Sequence, residues 1–186
     1  WLTNSNISNQ LISNPLVWPS STTTYQVVIS DTNTCSDTAQ VTITVNSLPV
    51  IDAGLDDTIC IGSAAQLIGT GAINYLWSPS DSLTAINIPF PLANPTVTMD
   101  YFLEGTDANG CVNFDTVNIF VRSLPTIDAG DDVEICVGTN TQLNASGGDS
   151  YLWTPTTGLT NPTIADPTAN PSDTTSYVAQ GTDIHG

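Results

Sequence analysis

Apolar and polar positions alternate along much of the chain with a period of two, the spacing of a half-buried β-strand. Tyr75 and Trp77 fall on one face of a predicted strand over 74–78, with Leu76 on the other. Val117, Ile119 and Val121 share a face within a strand over 111–121, and Val41, Ile43 and Val45 repeat that spacing. A strand over 98–106 is its predicted antiparallel partner, because Asp107-Ala108-Asn109-Gly110 lies between them. Asn-Gly supplies the positive φ angles of a tight hairpin. Residues 63–70 read as a strand centred on Leu67. Residues 79–95 are rich in Pro, Ser and Asn, which suits loops and short edge strands. No segment sustains a 3.6-residue period, so the expected fold class is all-β.

The pattern recurs at an offset of 76 residues. Ile51-Asp52-Ala53-Gly54 returns as Ile127-Asp128-Ala129-Gly130, Cys60 as Cys136, Tyr75 as Tyr151 and Trp77 as Trp153. Tyr101 matches Tyr25 and Tyr177, Cys111 matches Cys35, and Trp77 also matches Trp1. Without a gap, 50–110 and 126–186 share 28 identities in 61 positions, far more than chance gives. Ser-Leu-Pro closes a unit at 47–49 and again at 123–125, where proline interrupts a ladder and stiffens a short linker. The expected organisation is therefore the C-terminal part of a repeat over 1–49, a complete repeat over 50–125, and a repeat over 126–186 lacking its last strand. Short strands in units of this size predict tandem Ig-like or PKD-like β-sandwiches. The chain starts at Trp1 without a signal peptide, so it reads as a window on a longer mature protein.

Charge narrows the function. One Arg and no Lys stand against 18 acids, a net charge of −17. Nucleic-acid binding needs many cations and is not expected, nor is membrane insertion, since no apolar run is long enough. Schiff-base chemistry has no lysine to use. Salt bridges cannot hold the fold, so stability falls to strand pairing, burial and staples. The lone histidine, His185, sits in a turn where 109 is Asn, with no repeating Ser or Asp partner, so a triad is not expected. The chain reads as non-enzymatic.

Two cysteines per complete unit point to an oxidising, extracellular compartment. Four cysteines allow three connectivities. Pairing within a unit, Cys60 with Cys111, leaves Cys35 and Cys136 with partners outside the window, and is favoured. The rival pairs, Cys35–Cys60 and Cys111–Cys136, cross the unit boundary. A bridge closing about 50 residues contributes on the order of 4 kcal/mol in the chain-entropy model. Asp52, Asp56 and Asp57 open the unit, and Asp107 and Asn109 sit at its hairpin. Asp128, Asp131, Asp132 and Asp183 repeat the arrangement. If strand start and hairpin converge, Asp52, Asp56 and Asp107, with Asp128, Asp132 and Asp183, would offer oxygen ligands to Ca²⁺, the one cofactor the sequence points to. Otherwise they are turn-forming surface acids. Tyr75, Trp77, Tyr101, Tyr151, Trp153 and Tyr177 are the expected core aromatics. Trp18 has no counterpart, since 94 and 170 are Asn, and is the better candidate for a surface contact.

The ordered residues Asp52, Gly54, Cys60, Gly62, Leu67, Tyr75, Trp77, Pro79, Tyr101, Asp107, Gly110 and Cys111, with their counterparts, resemble a known repeat class. It is the Ig-like/PKD-like tandem repeats of giant cell-surface proteins in Bacteroidota, including gliding-motility-type adhesins exported by type IX secretion. The likeness covers the whole chain, although no C-terminal sorting domain is present. The resemblance implies an extracellular, cell-surface role as a rigid spacer in an adhesive filament or stalk. Its partners would be further repeats of the chain and identical chains in a fibre. Spacer or carbohydrate-binding module of a secreted hydrolase, and packing unit of a sheath or surface layer, are the alternatives. It also implies O-glycosylation at Asp-Ser/Thr triplets, here Thr38, Thr58, Ser82, Thr116 and Thr174.

Overall fold

The structure, a computed structural model, describes residues 1–2 and 6–185. These residues form strands and connecting turns without a helix. The strands are β1 (Thr23–Ser30), β2 (Ser36–Ile43), β3 (Asp57–Cys60), β4 (Ala65–Gln66), β5 (Asn74–Ser78) and β6 (Leu92–Ala93). They continue as β7 (Met99–Thr106), β8 (Val112–Arg122), β9 (Thr141–Gln142), β10 (Ser150–Thr154), β11 (Thr168–Ala169) and β12 (Val178–Thr182). The chain divides into two compact units, Trp1–Arg122 and Ser123–Gly186.

In the first unit, β1 and β2 form an antiparallel hairpin in register from Thr23↔Ile43 to Ser30↔Ser36. The complete repeat builds a four-stranded sheet in the order β3-β8-β7-β5 and a two-stranded sheet of β4 and β6. β7 and β8 form the Asn-Gly hairpin, with Tyr101 opposite Val117 and Thr106 opposite Val112. Gly110 has φ +79°, the left-handed conformation that such a turn demands. Trp77, Tyr101, Leu103, Val117 and Ile119 are buried, and with Leu67, Ala93, Ile59, Ala53 and Ile51 they form one core between the two sheets. Full burial of Val117 or Ile119 contributes about 1.5–3 kcal/mol each. Gly71, at φ +86°, is held to glycine because a Cβ there would run into the Val50 carbonyl.

Two features depart from the pattern reading. The strand expected over 63–70 contracts to Ala65–Gln66. Beyond it, Leu67 N–H and Gly69 N–H donate to the carbonyls of Pro91 and Pro89. A proline has no N–H to return, so the ladder stops. The other is β3, which runs parallel to β8, with Asp57 opposite Ile119 and Cys60 opposite Arg122.

The second unit pairs β10 with β12 and β9 with β11, both antiparallel. Trp153 and Ala169 are buried at its centre. Residues 133–136, the counterparts of β3, are not in a strand, and β12 begins three residues later than the matching part of β7.

Candidate interaction surface

The cysteines do not meet. No two of the four are bridged. The parallel register puts Cys60 beside Arg122, at the far end of β8, whereas Cys111 precedes the first residue of the same strand. Eleven residues at ~3.3 Å each separate those ends by ~36 Å, several times the span of a disulfide. The expected Cys60–Cys111 staple is therefore corrected. The within-unit pairing follows from unit boundaries, which do not carry the β3–β8 register that sets Cys60 and Cys111 at opposite ends of one strand. Cys35 and Cys136 are exposed.

The carboxylates serve their own turns. Asp107 Oδ1 accepts from the N–H groups of Asn109 and Cys111, both at 2.8 Å. Asp31 does the same for Asn33 and Cys35 at 2.8 and 2.9 Å, and Asp183 accepts from His185 N–H at 2.9 Å. The Cys111 N–H, assisted by Asn109, holds the Asp107 carboxyl below the usual carboxylate range, although partial burial opposes this. Asp52 and Asp128 accept from Gly54 and Gly130, two residues on. Asp56 instead reaches β8 and accepts from Asn118 N–H at 2.8 Å. That contact lies seven residues along β8 from Cys111, ~23 Å from the Asp107 turn. Among the described residues no group of three or more His, Cys, Asp or Glu is close enough to hold a metal ion. The structure thus does not bring Asp52, Asp56 and Asp107, or Asp128, Asp132 and Asp183, together as a ligand set.

Trp77 and Trp153 are core pins, and half-buried Trp1 shares their indole bond. Trp77 Nε1 donates to the Ile88 carbonyl at 3.0 Å, Trp153 Nε1 to Ile164 at 3.0 Å, and Trp1 Nε1 to Ile12 at 3.1 Å. The indole closes the following loop onto the sheet, which explains its pairing with an apolar residue eleven positions on. Tyr101 is fully buried; burial, and then the Asp81 carboxylate, raise its phenol above the ordinary value. Tyr75, Tyr151 and Tyr177 are half-buried, and Trp18 is exposed. Thr38, Thr58, Ser82, Thr116 and Thr174 are all exposed.

Two residues not singled out by the sequence tie β8 to the start of its repeat. Asp115 Oδ2 accepts from Ala53 N–H at 2.8 Å, and Asn113 Nδ2 donates to the Pro49 carbonyl at 2.9 Å. Asn113 lies between Val112 and Phe114, and Asp115 follows Phe114, so a polar residue beside apolar ones in a strand is the available signal.

The second unit carries an open groove of about 690 Å³. Ala129, Ile135, Leu143, Trp153, Ala169 and Tyr177 are among its lining residues. The matching cleft of the complete repeat measures about 310 Å³, and Val117 and Ile119 of β8 form part of its wall.

No protein-family model and no curated protein matches the chain. Among solved structures the chain is similar to the insect immune protein hemolin, described in terms of homophilic adhesion. That likeness has 15% identity and a TM-score of 0.39, covering 88% of this chain and 53% of that one. It is also similar to the human desmocollin-1 ectodomain, at 11% identity and a TM-score of 0.30, covering 90% and 42%. The chain spans about half the length of these structures.

Proposed function

We propose that the chain is a run of structural repeats from an extracellular surface fibre or stalk, and that adhesion is the role of the assembly. The observation that carries this reading is the indole bond that recurs at Trp1, Trp77 and Trp153, always to a carbonyl eleven residues on. Together with the 28 identities between 50–110 and 126–186, it marks one small β unit used more than once. Multiplying such a unit provides length and repeated surface. A net charge of −17 keeps neighbouring fibres apart in solution, an effect that salt screens. The turn carboxylates are spent on their own loops rather than gathered around a reactive centre, which favours a spacer over a hydrolase. The partners are further repeats of this class.

Immunogold electron microscopy of intact source cells, with antibody raised against the full chain, tests the reading. Gold along filaments outside the cell is the expected result. Label confined to the cell interior, or to short particles with one globular catalytic body, overturns it.

A further inference from the structure

We propose that Asn109 is a site of spontaneous deamidation, a modification that takes water as its only co-reactant and loosens the hairpin of the complete repeat as the protein ages. The sequence holds one Asn-Gly step, Asn109-Gly110, and the fold sets it at the tip of the turn between β7 and β8. Both residues are exposed. Nothing lies within 4 Å of where a Gly110 Cβ would stand, so no neighbour crowds that side of the step. Two bonds hold the tip closed. Gly110 N–H donates to the Asp107 carbonyl at 3.2 Å, the long end of the ordinary range, and Asn109 Nδ2 donates to Asp107 Oδ2 at 3.4 Å. Both lie at the surface of a turn, where local opening costs little.

The chemistry balances without an oxidant or a reductant. The Gly110 nitrogen, its proton taken by hydroxide, attacks Asn109 Cγ. A C–N bond forms, the Cγ–Nδ2 bond breaks, and ammonia leaves with a proton supplied by water. The product is a five-membered cyclic imide. Water then opens either of its carbonyls. Opening at Cγ leaves aspartate; opening at the main-chain carbonyl leaves isoaspartate, with the backbone rerouted through the side-chain carbon. Isoaspartate adds a carbon to the main chain where Asp107 Oδ1 gathers the N–H groups of Asn109 and Cys111. The turn bonds are therefore the first to be lost, while the pairing of Tyr101 with Val117 lies further along the ladder and persists.

The hairpin of β1 and β2 supplies a matched control. Asp31 Oδ1 accepts from Asn33 and Cys35 N–H at 2.8 and 2.9 Å, as Asp107 Oδ1 accepts from Asn109 and Cys111. Thr34 N–H donates to the Asp31 carbonyl at 3.2 Å, the distance found for Gly110. Thr34 has φ +67° and Gly110 φ +79°, so both turns close through a left-handed residue. What differs after the asparagine is the side chain. Thr34 is branched at Cβ and crowds the nitrogen that must attack, whereas Gly110 leaves it bare. In the following copy the place of the asparagine is taken by His185, which has no carboxamide to lose. Of three turns of one design, only that at 107–111 is set for the reaction.

The test ages the folded full chain, thiols kept reduced, in mildly alkaline buffer over weeks. Samples are digested with pepsin in acid, which halts the reaction, and isoaspartate is located by peptide mass spectrometry and by labelling with an isoaspartate methyltransferase. Isoaspartate should build up at Asn109 at least about tenfold faster than at Asn33 in the same sample. Amide-exchange protection over 107–111 should fall in step, with that over 31–35 unchanged. Gly110→Thr, which copies the Thr34 turn, should bring the rate at Asn109 down to that at Asn33. If that variant does not fold, the ratio of the two sites in the parent chain decides alone. Equal rates at the two asparagines, or no conversion at Asn109 in the folded chain, overturn the proposal. Conversion that leaves protection over 107–111 intact overturns the loosening. None of these results bears on where the protein resides, so the surface-fibre reading stands or falls separately.

Discussion

The complete repeat and its neighbour over 126–186 share the same Trp, the same indole bond and the same buried alanine, Ala93 or Ala169. They differ in one strand. Where β8 is present, Tyr101 is fully buried and β3 is formed; where no counterpart of β8 lies among the described residues, Tyr177 is half-buried and 133–136 are irregular. The Trp-centred half of the fold therefore forms without that strand, through a loop that returns within eleven residues and the pairing of β5 with β7 or β10 with β12. The other half depends on a single long strand that contacts both the start of the repeat, at Ala53 and Asp57, and its far hairpin. β8 is the keystone of the repeat, and the tryptophan is its local anchor.

The sharpest break of this comparison is Ile119→Asp. It places an unpaired carboxylate in a core position, a cost above about 4 kcal/mol, comparable to the stability of a small domain. Hydrogen exchange should show the complete repeat opening, with β3 and β7 lost together, while β10 and β12 keep their protection. Next comes removal of the anchor. Trp77→Ala should cost about 3–5 kcal/mol. Trp153→Ala should cost less in absolute terms, because the neighbouring Leu143 and Tyr177 already have solvent contact and less packing is lost. Chemical denaturation of each variant, read by the remaining tryptophans, checks the ranking.

A smaller effect attends Asp107→Asn, which weakens the turn that aligns β7 with β8. The carboxyl is held below its ordinary range in the folded chain, so its stabilisation is present above the unfolded value, ~3.9, and is lost as pH falls through the lower folded value. The protection factors of the 107–111 amides, corrected for the intrinsic pH dependence of exchange, should fall on acidification in the parent and lose that dependence in the variant. The smallest effect belongs to the thiols. With Cys60 and Cys111 at opposite ends of β8, reductant should leave the unfolding midpoint of the monomeric chain unchanged. A fall of several degrees would show a bridge and break the register assigned to β3.

These contrasts also separate what the sequence displays from what it hides. The hairpin of β7 and β8 is legible because Asn109-Gly110 marks the turn and Val117, Ile119 and Val121 mark the inward face. β5 is legible because two large aromatics stand two residues apart. β3 is not: it has four residues, one buried side chain, Ile59, and a parallel partner more than fifty residues away that no turn announces. The position of Cys60 follows from β3, so the disulfide expectation failed with it. The carboxylates were read for their charge, whereas the geometry of Asp31, Asp52, Asp107, Asp128 and Asp183 is set by N–H groups two to four residues ahead, and that of Asp56 by Asn118 of β8.

The prolines beside the short sheet have a consequence for aggregation. Leu67 and Gly69 take their bonds from the carbonyls of Pro91 and Pro89, and Leu143 and Ala145 from those of Pro167 and Ala165. Pro89, Pro91 and Pro167 have no N–H, so where these segments come loose from 67–69 or 143–145 a stray strand finds fewer donors to pair with. A protein made of many small sheets in series multiplies its exposed borders with every copy. Closing one border with an imino acid in each copy is a safeguard that scales with length, and it leaves lateral growth with fewer places to begin.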